Sequence, residues 1–165
     1  MNFQEIFEIF MERKNNLKVV HAATCGADGK PNSAPKLLVE ITAPNQVYFR
    51  DNKLTQSFSN LQTNPAISLS VMDDTNFTGY RLTGTCEILE SGPELEWARE
   101  IWEKRLISYE AERMIKRVTG GYSTKESESS LPQDFVLIKV TASEAAVVKP
   151  GRIVRAVHYE KENQT

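Results

Sequence analysis

The sequence has only two cysteines, Cys25 and Cys86, and no Cys-x-x-Cys pair. That excludes a disulfide framework and a cysteine-built zinc site. A single Cys25–Cys86 bridge is the one disulfide left open. No apolar run approaches the roughly 20 residues of a membrane helix. The segment MNFQEIFEIFMERKNN carries acids inside its apolar pattern, unlike a secretory leader. The cytoplasm is therefore the expected compartment. Charge of one sign is missing too: 20 Lys and Arg stand against 22 Asp and Glu, a net charge of −2. Nucleic-acid binders carry a basic excess, so neither nucleic acid nor membrane is an expected partner. The two histidines, His21 and His158, sit in strand-like runs and read as structural, with no metal site. G-x-S-x-G, P-loop, H-E-x-x-H and G-x-G-x-x-G patterns are absent. No repeat of fixed period is visible.

What is present is an ordinary globular composition. The 165 residues are 40% hydrophobic and 25% charged, which suits one domain over 1–165 with a single core. Disorder, collagen and coiled coil are excluded for the bulk of the chain.

Hydrophobic spacing divides the chain. Phe3, Ile6, Phe7, Phe10 and Met11 recur at three and four, predicting a helix capped by Asn2 and stopped at Asn15-Asn16. Residues 17–24 are β-rich, Asp28-Gly29 suits a tight hairpin, and 33–41 returns with Leu37, Val39 and Ile41 on one face. A turn at 42–46 leads to a strand at 47–51. A helix is expected over 54–64, with Leu54, Phe58 and Leu61 on its buried face, closed by Asn64-Pro65. Strands follow at 66–73 and 79–90. Gly92-Pro93 opens the longest helix, whose stripe is Leu95, Ala98, Trp102, Leu106 and Tyr109; Gly120-Gly121 ends it. Trp97 lies off that stripe and is a candidate for a subunit interface. A polar loop at 123–133, a strand at 134–141 and another at 152–159 complete the list. Six or seven strands joined by short hairpins predict an antiparallel, mainly β barrel with three helices.

The chemically informative segment is VYFRDNKLTQSFSNLQTNP (47–65). A strand ends at Arg50-Asp51, a polar corner follows, and a helix begins. A helix start offers unpaired N–H groups and positive potential. Thr55 and Ser57 add hydroxyls there, and Arg50 and Lys53 add charge. Such a corner suits a phosphate, though an ordinary capped surface helix has the same pattern. Lys36 and Arg81 are further cations; Lys36 reads more readily as a solvent-facing lysine of an amphipathic strand, and Arg81 also reads as a satisfied surface group.

This order of elements resembles the pyridoxamine 5′-phosphate oxidase-like family, the FMN-binding split barrels. The likeness is carried by LKVVHAATCGADGKPNSAPKLLVEI, by the 47–65 segment with its N-L-x-x-N-P ending, and by GYRLTGTCEIL. It implies a six-stranded antiparallel, Greek-key split barrel with flanking helices, forming a homodimer with FMN at the interface. Lys36 would reach the FMN phosphate, and the backbone around Leu37 and Leu38 would line the isoalloxazine ring. Tyr48, Phe49, Arg50 and Asp51 would run along the flavin, while Thr55, Gln56 and Ser57 would hold the phosphate. Many members are basic where Gln56 and Ser57 stand, so Lys53, Arg50 or Lys36 would compensate. Arg152-Ile153-Val154 resembles the Arg-Leu-His of vitamin B6 oxidases, but valine replaces the histidine. The implied function is an FMN-dependent oxidoreductase acting on a small molecule, with no named acid–base catalyst. The alternatives are a non-catalytic barrel binding or storing a flavin, haem or other flat ligand, and a cofactor-free interaction module using the long helix.

Overall fold

The computed structural model describes residues 2–13, 19–118 and 134–158. Its elements are α1 (Phe3–Arg13), β1 (Val19–Cys25), β2 (Pro31–Thr42), β3 (Gln46–Asp51), α2 (Gln56–Thr63), β4 (Ala66–Asp73), β5 (Thr78–Leu89), α3 (Pro93–Val118), β6 (Val136–Lys149) and β7 (Arg152–His158). The expected features at Asn15-Asn16, residues 17 and 18, Gly120-Gly121 and 123–133 lie outside the described residues, as do the side chains of Tyr109 and His158.

All strand pairs are antiparallel. They run β3-β2-β1-β4-β5-β6, and a β3–β6 pairing closes the circuit. β1, β2 and β3 are successive hairpins, and β4 returns to lie beside β1, which is the Greek-key order. Closure removes the free edges that would otherwise template pairing with another chain. β7 adds outside the circuit, on the far half of β6.

Two apolar cores sit on opposite sides of the β2–β3–β6 wall. Inside the barrel, Phe49, Leu38, Leu69, Leu82 and Ile138 meet α1 and α2. α1 delivers Phe7 and Phe10, both fully buried. Its start is a capping box: Asn2 Oδ1 accepts from Glu5 N at 2.9 Å, and a Glu5 carboxylate oxygen accepts from Asn2 N at 3.0 Å. Outside the wall, α3 sets Leu95, Ala98 and Trp102 on Val39, Tyr48 and Leu137.

The structure corrects three expectations. Leu54 is 93% exposed and precedes α2, whose buried face is Ser57, Phe58, Asn60 and Leu61. The last barrel strand runs eight residues past 141. Its extension buries Ala142, Ala145 and Ala146, whose weak strand preference hides them in the sequence. Trp97, the candidate for a subunit interface, is half-buried and packs edge-on against Tyr48, with centroids 5.1 Å apart. The alternation in β2 breaks at a bulge between Leu38 and Glu40. Leu38 and Ile41 therefore face the barrel interior while Val39 faces α3, and Lys36 joins the inward row.

Both cysteines are free thiols. Burial pushes the Cys86 thiol up to about 11 from 9.0, with a smaller contribution from the Glu87 charge. The fold holds the thiol proton more tightly than the unfolded chain does. Stability is accordingly expected to fall as pH rises from about 9 to about 11, and Cys86→Ala should flatten that slope in urea titrations. Opposite the β6 bulge, where Ser143 is the extra residue, a Cβ on Gly84 would lie 2.0 Å from the Thr141 carbonyl oxygen and 2.8 Å from Ala142 Cα. Backbone cannot yield as a side chain can. Gly84→Ala should cost at least about 1–3 kcal/mol in chemical denaturation; an unchanged midpoint would contradict this packing.

Candidate functional site

The site expected from sequence is the corner where β3 meets α2. Strand alternation sends Val47, Phe49 and Asp51 into the barrel and Tyr48 and Arg50 outward toward α3. Asp51 therefore meets Lys36 of the inward row. Lys36 Nζ donates to both Asp51 carboxylate oxygens at 2.8 Å, and the two side chains are only 5% and 2% exposed. Asp51 Oδ1 also accepts from Thr55 Oγ1 at 3.0 Å and from Asn52 N at 2.8 Å. Thr55 is in turn the N-cap of α2, its hydroxyl accepting from Phe58 N at 3.1 Å. One carboxylate thus fastens β2, β3 and the start of α2.

The polar side of α2 is occupied by the β1–β2 hairpin. Asn32 Nδ2 donates to Ser57 Oγ at 3.1 Å, and Asn60 Nδ2 to Thr24 Oγ1 at 3.1 Å. Gln56 Nε2 donates to Asn60 Oδ1 at 2.8 Å. Facing the other way, the Arg50 guanidinium lies 4.5 Å from the Trp102 ring centre and 4.6 Å from that of Phe135. Burial lowers its pKa. Arg105 of α3 donates from Nη2 to the Val39 carbonyl at 2.7 Å and from Nη1 to that of Leu38. These carbonyls belong to the β2 bulge, where the ladder is interrupted. Sequence reading missed Arg105 because a bulge carries no local signal in a run such as KLLVE.

The expected residues thus separate into two groups. Lys36, Leu38, Tyr48, Phe49, Asp51 and Ser57 are buried, with Tyr48 beneath Trp97 and Phe49 inside the barrel. Burial is the leading cause of the raised Tyr48 pKa. Leu37 packs half-buried beside α3, and Arg50 is sandwiched. Lys53, Thr55 and Gln56 remain at the surface or partly exposed. Lys53 is 60% exposed and ion-paired to Glu90.

Beside this corner runs a groove. One part, of about 320 Å³, is lined by Arg99, Trp102, Glu103, Asp134 and Phe135. A smaller hollow of about 140 Å³ shares Asp134 and Phe135 and ends at Asn52 and Lys53. The groove has an aromatic wall at one end and a solvent-facing cation at the other. Trp102 Nε1 is a buried donor with no hydrogen-bond partner among the described residues, which is uncommon in a completed wall. A ligand with a ring and an anionic group fits the accessible set. Lys36 and Asp51 are satisfied by each other.

The family model for pyridoxamine 5′-phosphate oxidase matches residues 8–149. The chain belongs to the pyridoxamine 5′-phosphate oxidase family. No curated protein matches it. Solved structures similar in fold include a Clostridium acetobutylicum protein related to general stress protein 26. That structure is 20% identical with TM-score 0.63, covering 94% of this chain and 95% of that one. A Nostoc punctiforme FMN-binding protein is 13% identical with TM-score 0.60, covering 97% and 98%. A heme binding protein from Mycobacterium smegmatis is 17% identical with TM-score 0.61, covering 94% of this chain and 57% of that one. At these identities the likeness is one of fold. Among the described residues no cluster of His, Cys, Asp and Glu is arranged for a metal, and no helix is long and apolar enough to cross a membrane.

The buried pair makes a sharp prediction. Lys36→Met or Asp51→Leu alone should destabilise the fold by about 3–5 kcal/mol, because each strands a buried charge. The double variant should lose much less than the sum. Additive losses in urea denaturation would show that the pair is not coupled.

Proposed function

We propose that this protein binds FMN in the groove between Lys53 and Trp102 and acts as a flavoprotein oxidoreductase on a small molecule, in a cytoplasmic homodimer of one 165-residue domain. The observation that carries the reading is the groove itself. Its aromatic wall, with an unsatisfied indole donor, faces a cation at the capped start of a helix. Family membership supports it, and so do the free thiols, which suit a reducing compartment.

Lys53, Thr55 and Gln56 are the residues placed to hold a phosphate, Lys53 exchanging its Glu90 partner for it. Trp102 and Phe135 supply apolar surface for a flat ring, and Arg50 behind them keeps both rings oriented. FMN, when bound, supplies hydride or electron transfer, so the protein needs to bind and orient rather than to donate a catalytic acid. Lys36 and Asp51 act on the site only by fixing the corner.

One observation favours a second reading. Each cation of the corner is engaged: Lys36 with Asp51, Arg50 with two rings, Lys53 with Glu90. That economy of free charge suits a non-catalytic protein that binds or stores haem or another flat ligand. Visible spectra of purified protein, desalted after incubation with FMN or with haemin, separate the two, and reduction of a bound flavin by NADH or NADPH marks catalysis.

Lys53→Ala should weaken FMN by one to two decades while leaving riboflavin unchanged, because only FMN carries the phosphate. Equal losses for both ligands in calorimetric titrations would remove Lys53 from the site.

A further inference from the structure

α3 has two halves of different character. Through Leu106 it packs on the β2–β3–β6 wall: Glu94 pairs with Lys139, Trp102 meets Phe135, and Arg105 binds the β2 bulge. Beyond Leu106 no described residue of α3 belongs to either core. There the helix carries Ile107, Ala111, Met114 and Val118, spaced four, three and four, so they line one face. Ile107 and Met114 are each 66% exposed and Val118 is 87% exposed. Ala111 is exposed beside them. Traced back over the wall, the same face holds Lys104 and Glu100, both exposed, as a solvated helix side does. The apolar stripe therefore begins where the wall ends.

A run of large exposed apolar side chains marks an interaction surface. The connection that follows α3 in the chain is a poor match for it. Residues 119–133 are polar in sequence, with Tyr122 and Leu131 as their large apolar members. A second copy of the chain matches better, because the stripe is its own complement. Laid end for end, two stripes set Ile107 against Val118 and Ala111 against Met114, each twice by symmetry. Charge agrees with the same direction. Helix periodicity puts positions 110 and 117 along one edge of the stripe, and the sequence has Glu110 and Arg117 there. Antiparallel pairing brings Glu110 of each copy to Arg117 of the other, and parallel pairing forms neither ion pair.

We propose that the last three turns of α3 are a self-association surface, on which a second copy of this chain packs its own α3 in the antiparallel direction. The surface is separate from the ligand groove, whose α3 residues are Arg99, Trp102 and Glu103. It therefore adds to whatever pairing the barrels make through another face.

Light scattering of the full-length protein over a range of concentrations tests this. Wild type is expected at twice the mass of Ile107→Glu, whether that variant is a monomer or a pair joined elsewhere. Glu110→Arg should weaken the association at least about tenfold, because it sets arginine against arginine at both ends of the pair. Adding Arg117→Glu to it should restore the association, which a merely sticky patch would not do. FMN retention by all three variants should equal that of wild type, so the ligand reading is judged separately. One mass for wild type and Ile107→Glu at every concentration overturns the proposal. A double charge swap that stays at the mass of the single variant does the same. So does an unchanged mass with a lowered melting temperature in Ile107→Glu, which would place the stripe against its own chain.

Discussion

The buried ion pair between Lys36 and Asp51 is the constraint on which the corner depends. A lysine ammonium and a carboxylate removed from water cost several kcal/mol each unless their remaining hydrogen-bonding capacity is met. Here it is met locally. Both carboxylate oxygens face the ammonium, and one also takes the Thr55 hydroxyl and the Asn52 amide. The arrangement locks the inward rows of β2 and β3 in register and sets where α2 begins. A barrel end that apolar packing alone would leave adjustable becomes a fixed angle between strand and helix.

That fixed corner separates structure from recognition. Charges that the sequence places near one another divide by strand alternation: Lys36 turns in, Arg50 turns out under Trp102 and Phe135, and Lys53 stands in the turn. Only the last is exposed. The β2 bulge has a parallel effect on the outer face. It offers two carbonyls to Arg105, and this holds α3 against the wall so that Trp102 forms one side of the groove. The groove is therefore a product of two departures from regular strand geometry, the end of β3 and the bulge of β2.

Most of the fold was legible in the sequence, because it rests on period and turn chemistry. The helix at Phe3–Arg13, the Asp28-Gly29 hairpin, the alternation of Ile67, Leu69 and Val71, and the Gly92-Pro93 start of α3 are all local signals. What was not legible is non-local. Nothing in KLLVE announces that Leu38 and Val39 will both be buried on opposite sides, or that Lys36 will lie in the inward row paired with Asp51. The alanines of β6 carry little strand preference, and the strand was cut short at 141. The candidate residues of the corner did come together, since they lie within one strand–turn–helix unit. Which of them stay accessible depended on Trp102, Arg105 and Phe135, far away in sequence, and no spacing rule connects those to Lys53.

The central claim is that the surface of this corner, not its buried charges, receives an anionic group. Phosphorus NMR of FMN titrated with the protein at neutral pH tests it most directly. The account predicts that the phosphate resonance shifts and broadens to saturation, and that Lys53→Ala abolishes the change while the folded spectrum persists. A phosphate signal that stays put while the flavin absorbance shows binding would contradict it.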